Sequence, residues 1–319
     1  MKLLFLGQNS NQGLKDSDPT SIQQIAAGQG HYLCESLADL PDVTICVDWN
    51  KASKRIVKTA KNLGITRVLI KNEPSVVTPG HLSKRIDSLF SKVIEVGRPA
   101  EENIYRWPQT WNPEFFDQPV RLPRTVSINA NKFSCLRGEL YSLRSKAYSG
   151  IENLDLYGQG WDRPASYNFL KFMKDLQIAI SASPMRLTIS CLGNLARRPR
   201  NFLGPSADKL ETLAKYKTTL VIENSREFMS EKLIDAILAG TIPVYVGPPV
   251  EVFGIPEELV VTAEPDLKSL RRATKYALEM NYDSWKSRAR LWMSEPGVND
   301  SWDGSKQTSV ILAAAIAGQ

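Results

Sequence analysis

Glu223, Asn224, Arg226, Glu231 and Lys232 crowd one short stretch, TLVIENSREFMSEKLIDAILAGTIPVYVGPP at 219–249, at the end of a βαβ unit where an anionic ligand could bind. Lys232 carries the most information. A lysine in the first turn of a helix opposes the macrodipole and costs a few tenths of a kcal/mol. An anion bound there reverses the sign, because the ammonium and the backbone N–H groups then converge on it. A solvated lysine at a frayed helix end is the plain alternative.

The elements around these residues place them together. Thr219 to Ile222 are β-branched or apolar, as in a buried parallel strand. Ser230 is expected to cap a helix whose buried face is Ile234, Ile237 and Leu238. Gly240 suits the left-handed position after the helix, and Ile242 to Val246 resume a strand. Pro243 sits near that strand's start, where a missing N–H is tolerated. Such a βαβ unit aims the helix N-terminus at the crevice where doubly wound sheets bind ligands.

Alternation of strand-like and helix-like segments runs through most of the 319 residues and predicts an α/β protein. The first strands are Leu3–Leu6, Val43–Val47, Arg67–Ile70 and Lys92–Val96, separated by helices near Ser21–Leu40, Ala52–Leu63 and His81–Phe90. Residues 117–125, DQPVRLPRT, read as a linker. The second set is Val126–Ala130, Leu154–Tyr157, Thr219–Ile222, Ile242–Val246 and Glu258–Val261, closed by a helix over Asp266–Met280. The expected architecture is two Rossmann-like doubly wound domains facing a cleft, 1–118 and 119–303, with a tail helix at 304–319.

Composition narrows the function. A hydrophobic fraction of 42%, a charged fraction of 23% and a net charge of +6 describe a soluble globular chain suited to an anionic substrate. No basic run with interleaved aromatics argues for nucleic acid. Gly7 and Gly13 do not fit G-x-G-x-x-G, and no G-K-[ST] follows, which disfavours dehydrogenases and P-loop enzymes. Cys34, Cys46, Cys135 and Cys191 lack metal-ligand spacing and read as reduced thiols of a cytoplasmic protein. With two histidines, His31 and His81, and no D-x-D pair, no metal site is expected. The apolar tail at 310–318 is too short to span a bilayer and reads as a docked helix, leaving at most peripheral membrane contact.

The ENS…SEK…PVYVG stretch resembles the donor-site signature of the alpha-1,3-fucosyltransferases, where FENS precedes a T-E-K helix start and a P-V-x-x-G strand and turn. The match covers about thirty contiguous residues, with an elbow shorter than usual. Weaker matches are Arg200-Asn201, Asp155-Leu156-Tyr157-Gly158 and Asn72-Glu73-Pro74-Ser75. The resemblance implies the GT-B-type two-domain fold and an inverting transfer of fucose from GDP-fucose to a glycan hydroxyl, with alpha-1,3 linkage. No cofactor or metal is implied, the partners being a nucleotide-sugar donor and an acceptor oligosaccharide. A transferase for another nucleotide sugar, or an inactive glycan- or nucleotide-binding relative, stands as the alternative.

Residue roles follow from the same resemblance. Glu73, directly after the strand RVLI, becomes the general base, a role contributing about 10²–10⁴ in rate; a solvated loop glutamate is the alternative. Arg200 and Lys232 become the diphosphate clamp, although Arg200 also fits an exposed basic loop with Arg197 and Arg198. Glu231 corresponds to the glutamate on the ribose hydroxyls, and Glu223 and Asn224 to the acidic-amide pair lining the donor. Ile222 replaces the usual Phe, and Phe228 stands where a tyrosine is often found, removing one polar contact to the donor. Trp107 and Trp111 offer flat faces to an acceptor sugar, or serve as core anchors.

Overall fold

The computed structural model describes residues 1–7, 21–99, 104–106, 116, 118, 120–163, 169–170, 172–173, 176–177, 180, 187–188 and 199–318. Trp107, Trp111, Cys191, Arg197 and Arg198 lie outside the described residues. The chain divides into two compact units, Met1–Trp111 with Asn299–Gln319, and Asn112–Val298.

The first unit holds five strands, β1 (Lys2–Gly7), β2 (Tyr32–Leu33), β3 (Val43–Val47), β4 (Thr66–Lys71) and β5 (Lys92–Glu95). All pair in parallel, in the order β2-β1-β3-β4-β5. Alternate residues fill two cores. Leu3, Val43, Ile45, Val68 and Ile94 pack on one face against Ile311, Leu312 and Ala315; Leu4, Cys46, Val57, Leu69 and Phe90 pack on the other. The chain crosses sides between β1 and β3, where Gly7 ends β1. A Cβ on Gly7 would stand 2.0 Å from the Val47 carbonyl oxygen, so only glycine fits that junction.

The helices of this unit are α1 (Ile22–Gly28), α2 (Ser53–Asn62) and α3 (Lys84–Asp87). The helix expected over Ser21–Leu40 is therefore only its first third. It stops at Gln29, Gly30 turns at φ +80, and the edge strand β2 follows. The helix expected over His81–Phe90 is a 3₁₀ turn, Pro79–Leu82, then the short α3 capped by the Ser83 hydroxyl.

The second unit repeats the plan with β6 (Leu122–Ile128), β7 (Leu154–Tyr157), β8 (Tyr216–Ile222), β9 (Ile242–Val246) and β10 (Val261–Thr262), all parallel in the order β10-β9-β8-β6-β7. Its helices include α4 (Tyr141–Gly150), α5 (Lys209–Ala214), α6 (Lys232–Leu238), α7 (Leu267–Glu279) and α8 (Tyr282–Met293). The linker expected at 117–125 overlaps β6, which starts at Leu122. Its register against β8 shifts between Leu122 and Thr125, a bulge that accommodates Pro123 without an N–H. The strand expected at Glu258–Val261 is instead a 3₁₀ turn at Glu257–Leu259 followed by β10.

Two short helices, α9 (Val298–Trp302) and α10 (Gly304–Ile316), end the described chain. Helix α10 belongs to the first unit's core, and Lys92 donates to the Ala314 carbonyl at 2.6 Å. Among the described residues no helix is long and apolar enough to cross a membrane. Cys34, Cys46 and Cys135 are buried free thiols.

Candidate functional site

Both sheets change direction beside their first strand, and ligands of doubly wound folds bind at the carboxyl ends of the strands there. In the second unit that place lies between β6 and β8. Glu223 and Asn224 follow β8 directly, and α6 starts at Lys232.

Glu223 is fully buried, which is costly for a carboxylate unless its oxygens are satisfied. Ser230 satisfies both, its N–H donating to Oε1 at 3.0 Å and its hydroxyl to Oε2 at 2.7 Å. Lys232 then donates to the Ser230 hydroxyl at 2.7 Å and lies 3.7 Å from Glu223 and 3.9 Å from Glu231. Ser230 is thus the hub of a buried network and not the expected helix cap. The N-cap position falls to Glu231, which makes no side-chain cap.

Lys209 on α5 bridges Glu231, at 3.3 Å, and Asp235. Burial works against the Glu231 carboxylate, but Lys232 and Lys209 outweigh it and hold its pKa down at about 2. For Lys209 burial is outweighed likewise by Glu231 and Asp235, so its ammonium is stabilised. Asp235 is pushed up by burial and by Glu231, against Lys209. Two cations therefore meet three carboxylates, and the positive charge expected at this helix start is balanced within the protein.

Arg144 on α4 was not legible in the sequence. It is buried, donates from Nε and Nη2 to the Ile222 carbonyl at 2.8 and 2.5 Å, and reaches the Asn224 side-chain oxygen at 2.9 Å. The Asn224 carbonyl accepts from the Leu140 N–H at 3.0 Å. Arg137, exposed on the loop between β6 and α4, is a further cation at the carboxyl end of the sheet. Phe228 is buried and closes the elbow through a bridge with Ser225, anchoring it.

Beyond β9, Gly247 has a steric reason of its own. A Cβ there would lie 2.1 Å from the Tyr245 hydroxyl and 2.9 Å from Glu223 Cγ. Tyr245 is buried with its hydroxyl unpartnered, and burial together with the Glu223 charge raises its pKa. A cavity of about 600 Å³ opens beside this turn, lined in part by Arg226, Gly247, Glu264 and Arg272.

The remaining expected residues lie elsewhere. Arg200 is exposed, and no hydrogen bond or ion pair links it to the Lys232 network. Its neighbour Asn201 fastens the chain alongside edge strand β7, donating to the Leu154 carbonyl at 2.6 Å and accepting from the Leu156 N–H at 3.0 Å. Glu73 belongs to the first unit, partly exposed just after β4. Among the described residues no cluster of three or more His, Cys, Asp or Glu side chains could hold a metal ion.

No family model matches the chain. A curated Arabidopsis thaliana protein described as fucosyltransferase-like is 34% identical over 100 residues, which are 30% of this chain and 19% of that protein. The match therefore spans about a fifth of the relative. An alpha1,3-fucosyltransferase crystal structure covers the whole chain and 91% of its own, with a TM-score of 0.55 and 14% identity. The Anabaena HepE protein in complex with UDP and glucose covers 98% of this chain and 99% of its own, with a TM-score of 0.57 and 14% identity. The fold is that of the GT-B glycosyltransferases. A fucosyltransferase-like protein and an alpha1,3-fucosyltransferase fold are thus both among the proteins this chain is similar to.

Proposed function

We propose that the protein is an inverting glycosyltransferase that moves fucose from GDP-fucose to a hydroxyl of an acceptor glycan, with alpha-1,3 linkage. The observation that supports this reading most is the Glu223–Ser230–Lys232–Glu231 network at the carboxyl end of β8, which holds the Lys232 ammonium beside a carboxylate suited to ribose hydroxyls.

In this reading the second unit binds the donor. The diphosphate draws the Lys232 ammonium away from Ser230 and Glu223, and Glu231 accepts from the ribose hydroxyls. Glu73 of the first unit removes the acceptor proton as the acceptor oxygen attacks the anomeric carbon. The bond to GDP breaks on the opposite face, and Lys232, aided by Arg137 or Arg200, takes up charge on the departing diphosphate. Charge-assisted contacts of this kind contribute roughly 1.5–3 kcal/mol each, most of it to rate where the contact tightens in the transition state. No step is assigned to a metal.

HepE, solved with UDP and glucose and similar over 98% of the chain, favours a second reading in which another nucleotide sugar is the donor. Calorimetric titration with GDP, UDP and ADP separates the two. Tightest binding of GDP is expected, followed by fucose transfer on a glycan array; tightest binding of UDP would overturn the fucosyl assignment.

A further inference from the structure

The loop bearing Glu73 is held by buried polar groups that donor binding does not use. Asp48 follows β3 at the junction of β1 and β3 and is fully buried. Its backbone sits at φ +52, in the left-handed region that aspartate enters more readily than most residues. Its N–H donates to the Ile70 carbonyl at 2.9 Å. Its Oδ1 accepts from the N–H groups of Asn72 and Glu73, each at 2.8 Å.

The other side of the same peptide segment is held by His81. Its Nδ1–H donates to the Glu73 carbonyl at 2.9 Å, and Nε2 accepts from the Trp49 N–H at 3.3 Å. Both ring nitrogens are used only by a neutral imidazole of this tautomer, and burial keeps it neutral by lowering its pKa to about 4. Lys71, itself buried, donates to the His81 carbonyl at 3.1 Å and pairs with Asp87 and Glu95 at 3.0 and 3.3 Å. The loop is thereby tied at both ends, and both backbone polar groups of Glu73 are held by buried side chains.

We infer that Asp48 and His81 are positioning residues, which grip Glu73 through its backbone from two sides and fix the direction in which its carboxylate is presented. The inference rests on Glu73 acting as the base. A misplacement of about 1 Å in such a group is enough to cost on the order of 10²-fold in rate. A network serving stability alone has no need to converge on one residue at the carboxyl end of β4.

The test uses the full chain with GDP-fucose and a responsive glycan acceptor. It compares Glu73→Gln, Asp48→Gly, His81→Ala and His81→Asn. Glycine suits φ +52 and removes only the carboxylate, while asparagine restores an N–H near the position of Nδ1. Asp48→Gly and His81→Ala are expected to lower kcat by about 10–100-fold with GDP affinity within about twofold of wild type. His81→Asn should recover most of that turnover. Amide hydrogen exchange over residues 72–82 should accelerate in both disabling variants, a readout that needs no turnover. Unchanged exchange there overturns the clamp, as does wild-type turnover in Asp48→Gly and His81→Ala while Glu73→Gln is inactive. Wild-type turnover in Glu73→Gln instead removes the base assignment, and with it the catalytic role of the clamp.

Discussion

Glu223→Gln is expected to weaken the fold and strengthen nucleotide binding at the same time. The buried carboxylate lies 3.7 Å from the Lys232 ammonium. At that separation two unit charges attract by about 4 kcal/mol at an effective dielectric of 20 and by about 1 kcal/mol in water. A diphosphate approaching Lys232 competes with that attraction. Glutamine keeps an acceptor for the Ser230 N–H, but its amide nitrogen can only donate to the Ser230 hydroxyl oxygen, which already accepts from Lys232, so the buried hydroxyl proton loses its partner. The loss costs about 1–3 kcal/mol of stability. Because Glu231 at 3.9 Å still shares Lys232, the gain in GDP affinity is only part of the Coulomb energy. It should be about 1–2 kcal/mol, roughly five- to thirtyfold. Thermal unfolding without ligand and calorimetric titration with GDP supply the two numbers. Affinity falling together with stability would refute the reasoning, since Glu223 would then be holding ligand. Unchanged affinity would show that Lys232 is not the phosphate contact.

Other substitutions probe the supports of the site. Arg144→Leu strands the Ile222 carbonyl and the Asn224 side-chain oxygen in a buried setting and should cost about 2–5 kcal/mol, read by urea unfolding. Gly247→Ala drives a methyl into Tyr245 and Glu223 and should cost about 1–3 kcal/mol while disturbing GDP binding. His81 makes stability depend on pH. Its folded pKa of about 4 lies below the ordinary 6.5, so between those values the unfolded chain binds more protons. Stability contributed by the neutral ring is full above pH 6.5 and falls as the pH drops toward 4, by at most roughly 3 kcal/mol, because the buried Asp48 carboxylate 3.6 Å from Nε2 favours the charged ring. Unfolding of wild type and His81→Asn at pH 7 and 4.5 should show a steeper loss in wild type; parallel losses would contradict the assignment.

Where burial follows from chain-local pattern, the sequence was a good guide. Val43–Val47 and Ile242–Val246 are β-branched and apolar runs and form strands with those bounds, as does Leu154–Tyr157 around Asp155. Gly240 ends α6 at φ +68, with the Thr241 N–H bonded to the Ala236 carbonyl as a Schellman turn requires. Helix α4 escaped because Tyr141, Ser142, Leu143, Arg144 and Ser145 are all buried, leaving no polar stripe for periodicity to detect. Ser230 was misread because its partner is tertiary. As a sequence position it is a good cap, yet a buried carboxylate seven residues earlier claims both its donors. The Asp48–Glu73–His81 clamp joins loops 25 and 8 residues apart, and no local spacing announces it. Glu223, Glu231 and Lys232 were individually visible, whereas Asp235 and Lys209 were not, and their convergence needed α5, α6 and the end of β8 in place.

In the proposed function the start of α6 receives a nucleoside diphosphate through a lysine that changes partners. A crystal structure of the protein bound to GDP tests it most directly. The account predicts the Lys232 ammonium withdrawn from Ser230 and Glu223 onto the diphosphate oxygens, with Glu231 on the ribose hydroxyls. GDP bound at another place, or Lys232 still paired with Glu223 while the diphosphate lies elsewhere, would contradict it.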